Sequence, residues 1–410
     1  MNPLFPAGLL AGLLVASATA REPVRSAPYP LPVLPREDAT QTDPETGATL
    51  LFLTDGKAKD TNLYFHQRSW LADSSVILFV SSRPGGGLMG YVVETGELFA
   101  ITAADGAKLN RATAAVKANA VYAMAGDRVL AIDLALAVTG PAGQRHATVT
   151  ARERCLATLS GVDVYLNESC DGRRLIAGGA HLAGAARAGF AAIDTRTGRW
   201  EKVCDIPEGV AYHGHLQWSI TNPHWFSFAG EPNRLWVVDV RDRRPWCPYP
   251  QQTNELVTHE SWWVNDQLIF CGGVHPKPTE DSHVKVIDMH ARTVRIVGEG
   301  SWWPGATSRD IAKRNWWHAA GSADGRWIAA DNWHGDIMLF DGKTARPHLL
   351  TAGHRTYGQG EHPEVGWDRR GQQVIFASHR REGVTVCVAT IPNAWQQELT
   401  ALAVGAPPRR

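Results

Sequence analysis

The sequence predicts an all-β fold, a seven-bladed β-propeller. Two observations carry that prediction. A short unit of strand, turn, strand and acidic turn recurs seven times along the 410 residues. Its acidic turn residues Glu94, Asp133, Asp194, Asp239, Asp288 and Asp341 follow one another at roughly 40–60 residues, close to the length of a four-stranded blade. In addition, no long helical period appears beyond the apolar N-terminus.

The chain opens on residues 1–20, an apolar run ending in Ser17-Ala18-Thr19-Ala20 before Arg21. Small residues at that spacing resemble a signal-peptidase site and predict a secretory signal, although no Lys or Arg precedes the run. The run is short for a membrane span, and no later segment is long and apolar enough to make one. We therefore expect a mature protein without a membrane span, periplasmic or secreted. Residues 21–44, rich in Pro and Thr, read as an extended segment. Residues 45–400 then form the propeller and 401–410 a tail. A strand near Thr49 to Thr54 is expected to close the ring against the last blade.

The seven copies follow in order. They are Val76 to Val80 with Gly90 to Gly96, Ala120 to Ala123 with Val129 to Asp133, and Arg174 to Ala177 with Phe190 to Thr195. Next come Trp225 to Phe228 with Leu235 to Asp239, and Gln267 to Phe270 with Val284 to Asp288. The last two are Arg326 to Ala329 with Asp336 to Asp341, and Gln373 to Ala377 with Val384 to Val388. Turns such as Asp171-Gly172, Thr197-Gly198 and Asp324-Gly325 punctuate them. The longest step, from Asp133 to Asp194, predicts an insertion around Gly140 to Leu166.

Lys plus Arg and Asp plus Glu both number 41, so the formal charge is zero. That argues against nucleic-acid binding by bulk charge and against a polybasic membrane anchor. An anionic substrate needs only a local cation cluster. Trp and His stand out at 16 each. Trp supplies flat faces for sugar rings and His supplies metal ligands or acid–base groups, though most of the Trp should fill blade cores. The six cysteines form no CxxC pair, which removes a zinc ribbon. Cys155 and Cys170 are the nearest pair in sequence. Cys271 and Cys387, in apolar runs, read as buried thiols. No Gly-x-Ser-x-Gly elbow, P-loop or His-Glu-x-x-His motif occurs.

Five His-centred clusters precede the strand pairs: Tyr64 to Arg68, Tyr212 to His215, Thr258 to Trp263, Trp316 to His318 and Gln359 to Glu364. Similar positions in successive blades would aim them at one axis. His318, Gln359, His362 and Glu364 form a candidate divalent-metal set, with manganese, zinc or calcium as occupants, set against isolated histidines bonded to backbone. His213 and His215 could also chelate. His259 beside Glu260 is a candidate general base, and Arg234 a candidate carboxylate partner or a surface ion pair.

These segments also resemble a family. Tyr64-Phe65-His66-Gln67, Gly214-His215, Arg234-Leu235-Trp236, Thr258-His259-Glu260-Ser261-Trp262 and the ending Ile391-Pro392-Asn393-Ala394-Trp395 are similar, in order, to motifs of the oligogalacturonate lyases. Those are seven-bladed propellers that cleave uronate oligosaccharides by β-elimination. The resemblance implies His259 as catalytic base, Arg234 as charge-stabilising partner and a manganese site of His318, Gln359 and His362. Glu364 stands where the family has a fourth ligand His, which adds negative charge and puts metal and substrate in question. His215, His66, Tyr64 or water remain candidates for the protonating acid. Tyr64, His66, Gln67, Trp262 and Trp317 are the expected substrate contacts. Trp263, Trp316 and Trp333 add to the impression of a remodelled sugar site. The partner expected is a uronate-containing oligo- or polysaccharide. A propeller glycoside hydrolase using carboxylates among Glu260, Glu361 and Glu364, or a non-catalytic periplasmic scaffold, are the alternatives.

Overall fold

The computed structural model describes residues 23–161, 164–182, 187–274, 281–300, 315–355 and 362–396. Residues 1–20, Gln359, Glu361 and the 401–410 tail, on which several expectations fall, lie outside them. The described residues form seven antiparallel sheets arranged as a seven-bladed propeller.

Blade 1 contains Asp60–Asn62, Val76–Ser81, Gly87–Val92 and Leu98–Ala100. Blade 2 contains Asn110–Ala114, Ala120–Ala125, Arg128–Thr139 and His146–Thr158. Blade 3 contains Tyr165–Glu168, Arg174–Ala180, Gly189–Asp194 and Trp200–Asp205. In blade 4 the short strands Ala211–Tyr212 and Gln217–Trp218 both pair with Trp225–Glu231, and Leu235–Asp239 and Arg244–Trp246 follow. Blade 5 runs Thr258–Trp263, Gln267–Gly272, His283–Asp288 and Thr293–Gly298. Blade 6 runs Trp316–Gly321, Trp327–Asn332, Ile337–Asp341 and Pro347–Thr351. Blade 7 joins Gly366–Trp367, Gln373–Ser378 and Thr385–Thr390 to Thr49–Phe52 from the other end of the chain. The seven repeats in the sequence fall on the middle two strands of each blade.

Why those strands read as continuous apolar runs becomes clear from the packing. The core divides into seven clusters, one between each neighbouring pair of blades. A middle strand therefore buries both faces. Val76 and Leu78 point to blade 2, while Ile77 and Phe79 point to blade 7. The period-2 alternation survives as a choice between two cores, not between core and water.

Ring closure follows the expected route. Leu51 pairs with Val388 and Phe52 with Cys387. Leu50 and Phe52 pack toward blade 6, Leu51 and Leu53 toward blade 1. The preceding segment does more than extend. Tyr29–Leu31 adds to the outer edge of blade 2, Val33–Leu34 to blade 1 and Ala39–Thr42 to blade 7. It thus covers three successive outer edges that would otherwise present unpaired backbone groups.

The insertion expected around Gly140 to Leu166 overlaps what is found but begins earlier in the chain. The extra length lies mainly in the hairpin Arg128–Thr139/His146–Thr158, whose paired arms run on past the blade. Leu134, Ala147, Val149 and Ala151 continue the strand alternation into the core shared with blade 1. All six cysteines are free, with Cys271 and Cys387 fully buried and their thiols pushed up by burial.

Asp43 locks the closing strands to blades 6 and 7. Thr351 Oγ1 donates to its carboxylate at 2.6 Å, and the Arg380 guanidinium lies 3.0 Å away. His354, buried between Thr351 and Ser378, extends the network. Burial alone would raise the Asp43 carboxyl, but these bonds and the Glu45 and Thr46 amides hold it at about 2. A depressed acid stabilises the fold above its unfolded pKa near 4 and loses that contribution as pH falls through about 2. Asp43→Asn should therefore cost stability at neutral pH and flatten the acid limb between about pH 4 and pH 2. Thermal unfolding across that range checks it.

Candidate functional site

Tyr64, His215, His259 and His318, one from each of four His clusters, meet at one end of the channel; the fifth cluster contributes through His362 and Glu364. The local backbone explains how. Regular pairing would turn side chains toward the neighbouring blades, but the ladder slips between Thr258 and Ser261, and again between Trp316 and Ala319. These bulges re-aim His259 and His318. His259, His215 and Glu364 also have left-handed backbones, with φ of 51°, 51° and 55°. Such values are uncommon for residues with a β-carbon and concentrate at functional positions. Gly214, with φ of 77°, makes the turn ahead of His215 possible.

Two polar chains meet here. In the first, the Tyr64 hydroxyl and His215 Nε2 are 3.0 Å apart, and His215 Nδ1 lies 3.6 Å from Glu260 Oε1. That last separation is an electrostatic contact, longer than a hydrogen bond. Arg234 Nε donates to Glu260 Oε2 at 2.9 Å. Gln217 Nε2 donates to the Glu260 carbonyl at 2.7 Å, fixing the backbone. Arg234 stands on the hairpin of blade 4, where its amide is held by Gln251. Its terminal Nη groups have no partner among the described residues, so they remain available to an anion. Burial pushes the Glu260 carboxyl up, against the opposing pull of Arg234.

In the second chain, Asp331 Oδ2 is 2.9 Å from His318 Nδ1, and Asp331 also accepts from the His318 and Glu364 amides at 2.7 and 2.8 Å. The His318 imidazole is raised above its ordinary pKa: burial works to lower it, and Asp331, then Glu364, override it. The His259 ring lies 4.1 Å from His318 and 5.7 Å from His215, with Nδ1 held 3.0 Å from Thr258 Oγ1. Burial, then the neighbouring His318, pushes His259 well below the usual imidazole range. Burial and Arg234 do the same for His215. Burial raises the Tyr64 hydroxyl, with the Glu364 charge second, so the phenol stays protonated.

For a metal, the chemistry of the donor set is the test. A carboxylate that grips one imidazole nitrogen leaves the other oriented as a ligand, an arrangement common behind metal-bound histidines. Asp331 does this to His318, whose ring is 5.5 Å from His362. His318 and His362, with Glu364 close by, thus fit part of a divalent site. Among the described residues no group of three His, Cys, Asp or Glu side chains closes on one point, and Gln359 lies outside them.

The tryptophans separate. Trp317 stands 4.9 Å from His259 and 4.7 Å from Trp333, which is 6.0 Å from His362. Those two indoles wall the site. Trp262, Trp263 and Trp316 are buried between blades, with indole N–H groups on the carbonyls of Gln217, Ser322 and Glu299. Trp262, His66 and Gln67 instead line a cavity of about 300 Å³ with Arg68, Trp218 and Trp367. It lies toward the ends of the innermost strands, behind the histidine group, and His66 stands between the two, its ring 5.1 Å from Tyr64 and 5.5 Å from His215. His66 is pushed down to about 3 by burial, and neither ring nitrogen has a hydrogen-bond partner among the described residues. Sequence reasoning missed Asp331 and the link from Glu260 to Arg234. Asp331 carries no motif of its own, and its position opposite His318 exists only once the strands pair.

No family model matches the chain, and no curated protein matches it. Solved structures do. One is an oligogalacturonate lyase in complex with manganese, 16% identical, with a TM-score of 0.65 over 91% of this chain and 99% of that one. Another is an oligogalacturonate lyase from Vibrio parahaemolyticus, 15% identical, with a TM-score of 0.66 over 89% and 99%. At these identities the likeness establishes a shared fold. No helix among the described residues is long and apolar enough to cross a membrane.

Proposed function

We propose that this protein is a polysaccharide or oligosaccharide lyase that cleaves uronate-containing glycans by β-elimination. The observation that carries the reading is the convergence of His259, Arg234, Tyr64 and His215 at one mouth of the channel, beside a partial metal site. Arg234 presents its Nη groups to the uronate carboxylate, and that contact stabilises negative charge developing on it. His259 takes the proton from the carbon next to the carboxylate. The electrons of that C–H bond form the new C=C bond, and the glycosidic C–O bond breaks. The Tyr64 hydroxyl, paired with His215, supplies the proton that the departing oxygen needs. Trp317 and Trp333 shape the wall against which the sugar lies. His318, His362, Glu364 and Gln359 would hold a divalent ion, manganese foremost, which when bound supplies Lewis-acid stabilisation of the carboxylate. Export directed by residues 1–20, to the periplasm or beyond, suits a polysaccharide substrate.

The test is ultraviolet absorbance of the unsaturated product during incubation with pectic, ulvan-type, glucuronan or glycosaminoglycan chains. Absorbance should rise on at least one substrate. Chelator should suppress it, His318→Ala should abolish it, and metal analysis should find less bound ion in that variant. Absence of the signal on the whole panel would sink the reading. A glycoside hydrolase would instead add one water, which mass spectrometry of the products distinguishes. Glu260, one of its candidate carboxylates, is engaged by Arg234 and fully buried, which weighs against that role.

A further inference from the structure

Outside the channel, one surface combines an exposed aromatic ring with an excess of cations. The outermost strand of blade 3, Trp200–Asp205, has no N-terminal strand over it, unlike the outer edges of blades 1, 2 and 7. Trp200 on this strand is 39% exposed, an unusual outlay of apolar area for an indole. It lines a depression of about 570 Å³ together with Arg174, Arg196 and Arg199. The two carboxylates there are already engaged. Asp194 accepts from the Arg196 and Thr197 amides and the Thr197 hydroxyl, which fixes the turn. Glu201 pairs with Arg243 at 2.7 Å. The Arg174 side chain lies in the field of the Asp171 carboxylate and on the strand position opposite Asp194, while no hydrogen bond or ion pair holds the Arg199 side chain among the described residues. Asp194 stays ionised, but with Arg243 four guanidiniums stand against the two carboxylates Asp194 and Glu201, so the depression carries a local excess of positive charge within a chain of zero net charge.

We propose that this face of blade 3 is a second carbohydrate site, which holds a carboxylate-bearing polysaccharide chain outside the channel. An indole face takes the C–H side of a sugar ring, and a guanidinium takes the carboxylate that a uronate carries at its edge. A neutral glycan would satisfy only the indole, and a small anion only the arginines. The pairing thus selects a polymer bearing both features. The site deepens the uronate reading of the channel, but its own measurement requires no cleavage.

Native gel electrophoresis of the full chain through polygalacturonate tests it, with dextran as the neutral comparison and His259→Ala as the background so that the polymer survives. Polygalacturonate should retard migration, increasingly at low salt, and dextran should not. Trp200→Ala and, separately, the Arg174→Ala/Arg199→Ala pair should each weaken retardation about tenfold, the equivalent of losing one stacking or ionic contact. Because Trp200 is at the surface, its variant should melt with the parent. In the active chain, Trp200→Ala should slow turnover of the polymer but leave a trisaccharide unaffected. Retardation unchanged in both variants, equal retardation by dextran, or none by polygalacturonate would overturn the proposal. Retardation without unsaturated product from the active chain would leave this site standing and remove the lyase reading.

Discussion

His259→Ala is expected to lower the rate of unsaturated-product formation by about 10²–10⁴-fold, the range that a positioned proton-transfer group supplies. The melting temperature should hardly move, because among the described residues the His259 side chain's one hydrogen bond is to the neighbouring Thr258. Its ring is set by a bulge and a left-handed backbone rather than by a deep polar network. Removing the imidazole therefore deletes a reactive nitrogen and leaves the neighbours in place. Binding of a uronate oligosaccharide should survive within a few fold, since Arg234, Trp317 and Trp333 are untouched. Progress curves with a binding measurement alongside give the split. A variant within tenfold of the parent would show that the proton is removed by another group.

The second large effect concerns Glu260, which never meets substrate in this reading. Its side chain is fully buried and holds Arg234 at 2.9 Å. Glu260→Ala should cost about 3–5 kcal/mol of stability, the usual penalty for leaving a buried charge without its partner. It should also release Arg234 from its aim at the substrate carboxylate and so remove most activity. Glu260→Gln separates the two effects. The amide keeps shape and one hydrogen bond, so melting should recover in large part, while KM for the charged substrate rises more than kcat falls. Thermal or urea unfolding beside kinetics on both variants reads this out. Parent-like stability in Glu260→Ala would show that Arg234 does not depend on the carboxylate.

The two residues also illustrate how legible the chain was. Blades were visible because both faces of a middle strand are buried, so runs such as Val76 to Val80 announce themselves without context. The closing strand showed for the same reason. His259, Arg234, His318 and His362 could be singled out because each sits in a short unusual motif. What could not be read was aim. Trp262 and Trp317 look equivalent in sequence, each beside a functional histidine, yet strand alternation and the two bulges send one between blades and the other to the site wall. Gln67, three residues past Tyr64, lines the cavity behind the site, and His66 stands between that cavity and the His215 ring. Asp331 belongs to an otherwise ordinary strand, and its role arises from lying across the ladder from His318.

Closure of the ring by Thr49–Phe52 against Thr385–Thr390 has a consequence for how the chain comes into being. Synthesis delivers the first of these strands early and its partner almost last. The first must wait, one edge of Leu50, Leu51 and Phe52 paired with Ala39–Thr42 and the other open, until six blades have been made. The entropy of joining ends so far apart grows only logarithmically with length, so the penalty is bearable, but the delay is unavoidable. Closure thereby acts as a check on completeness. A chain that stops short of Thr390 cannot finish blade 7, presents raw sheet edges on either side of the gap, and becomes a substrate for proteolysis instead of a working catalyst.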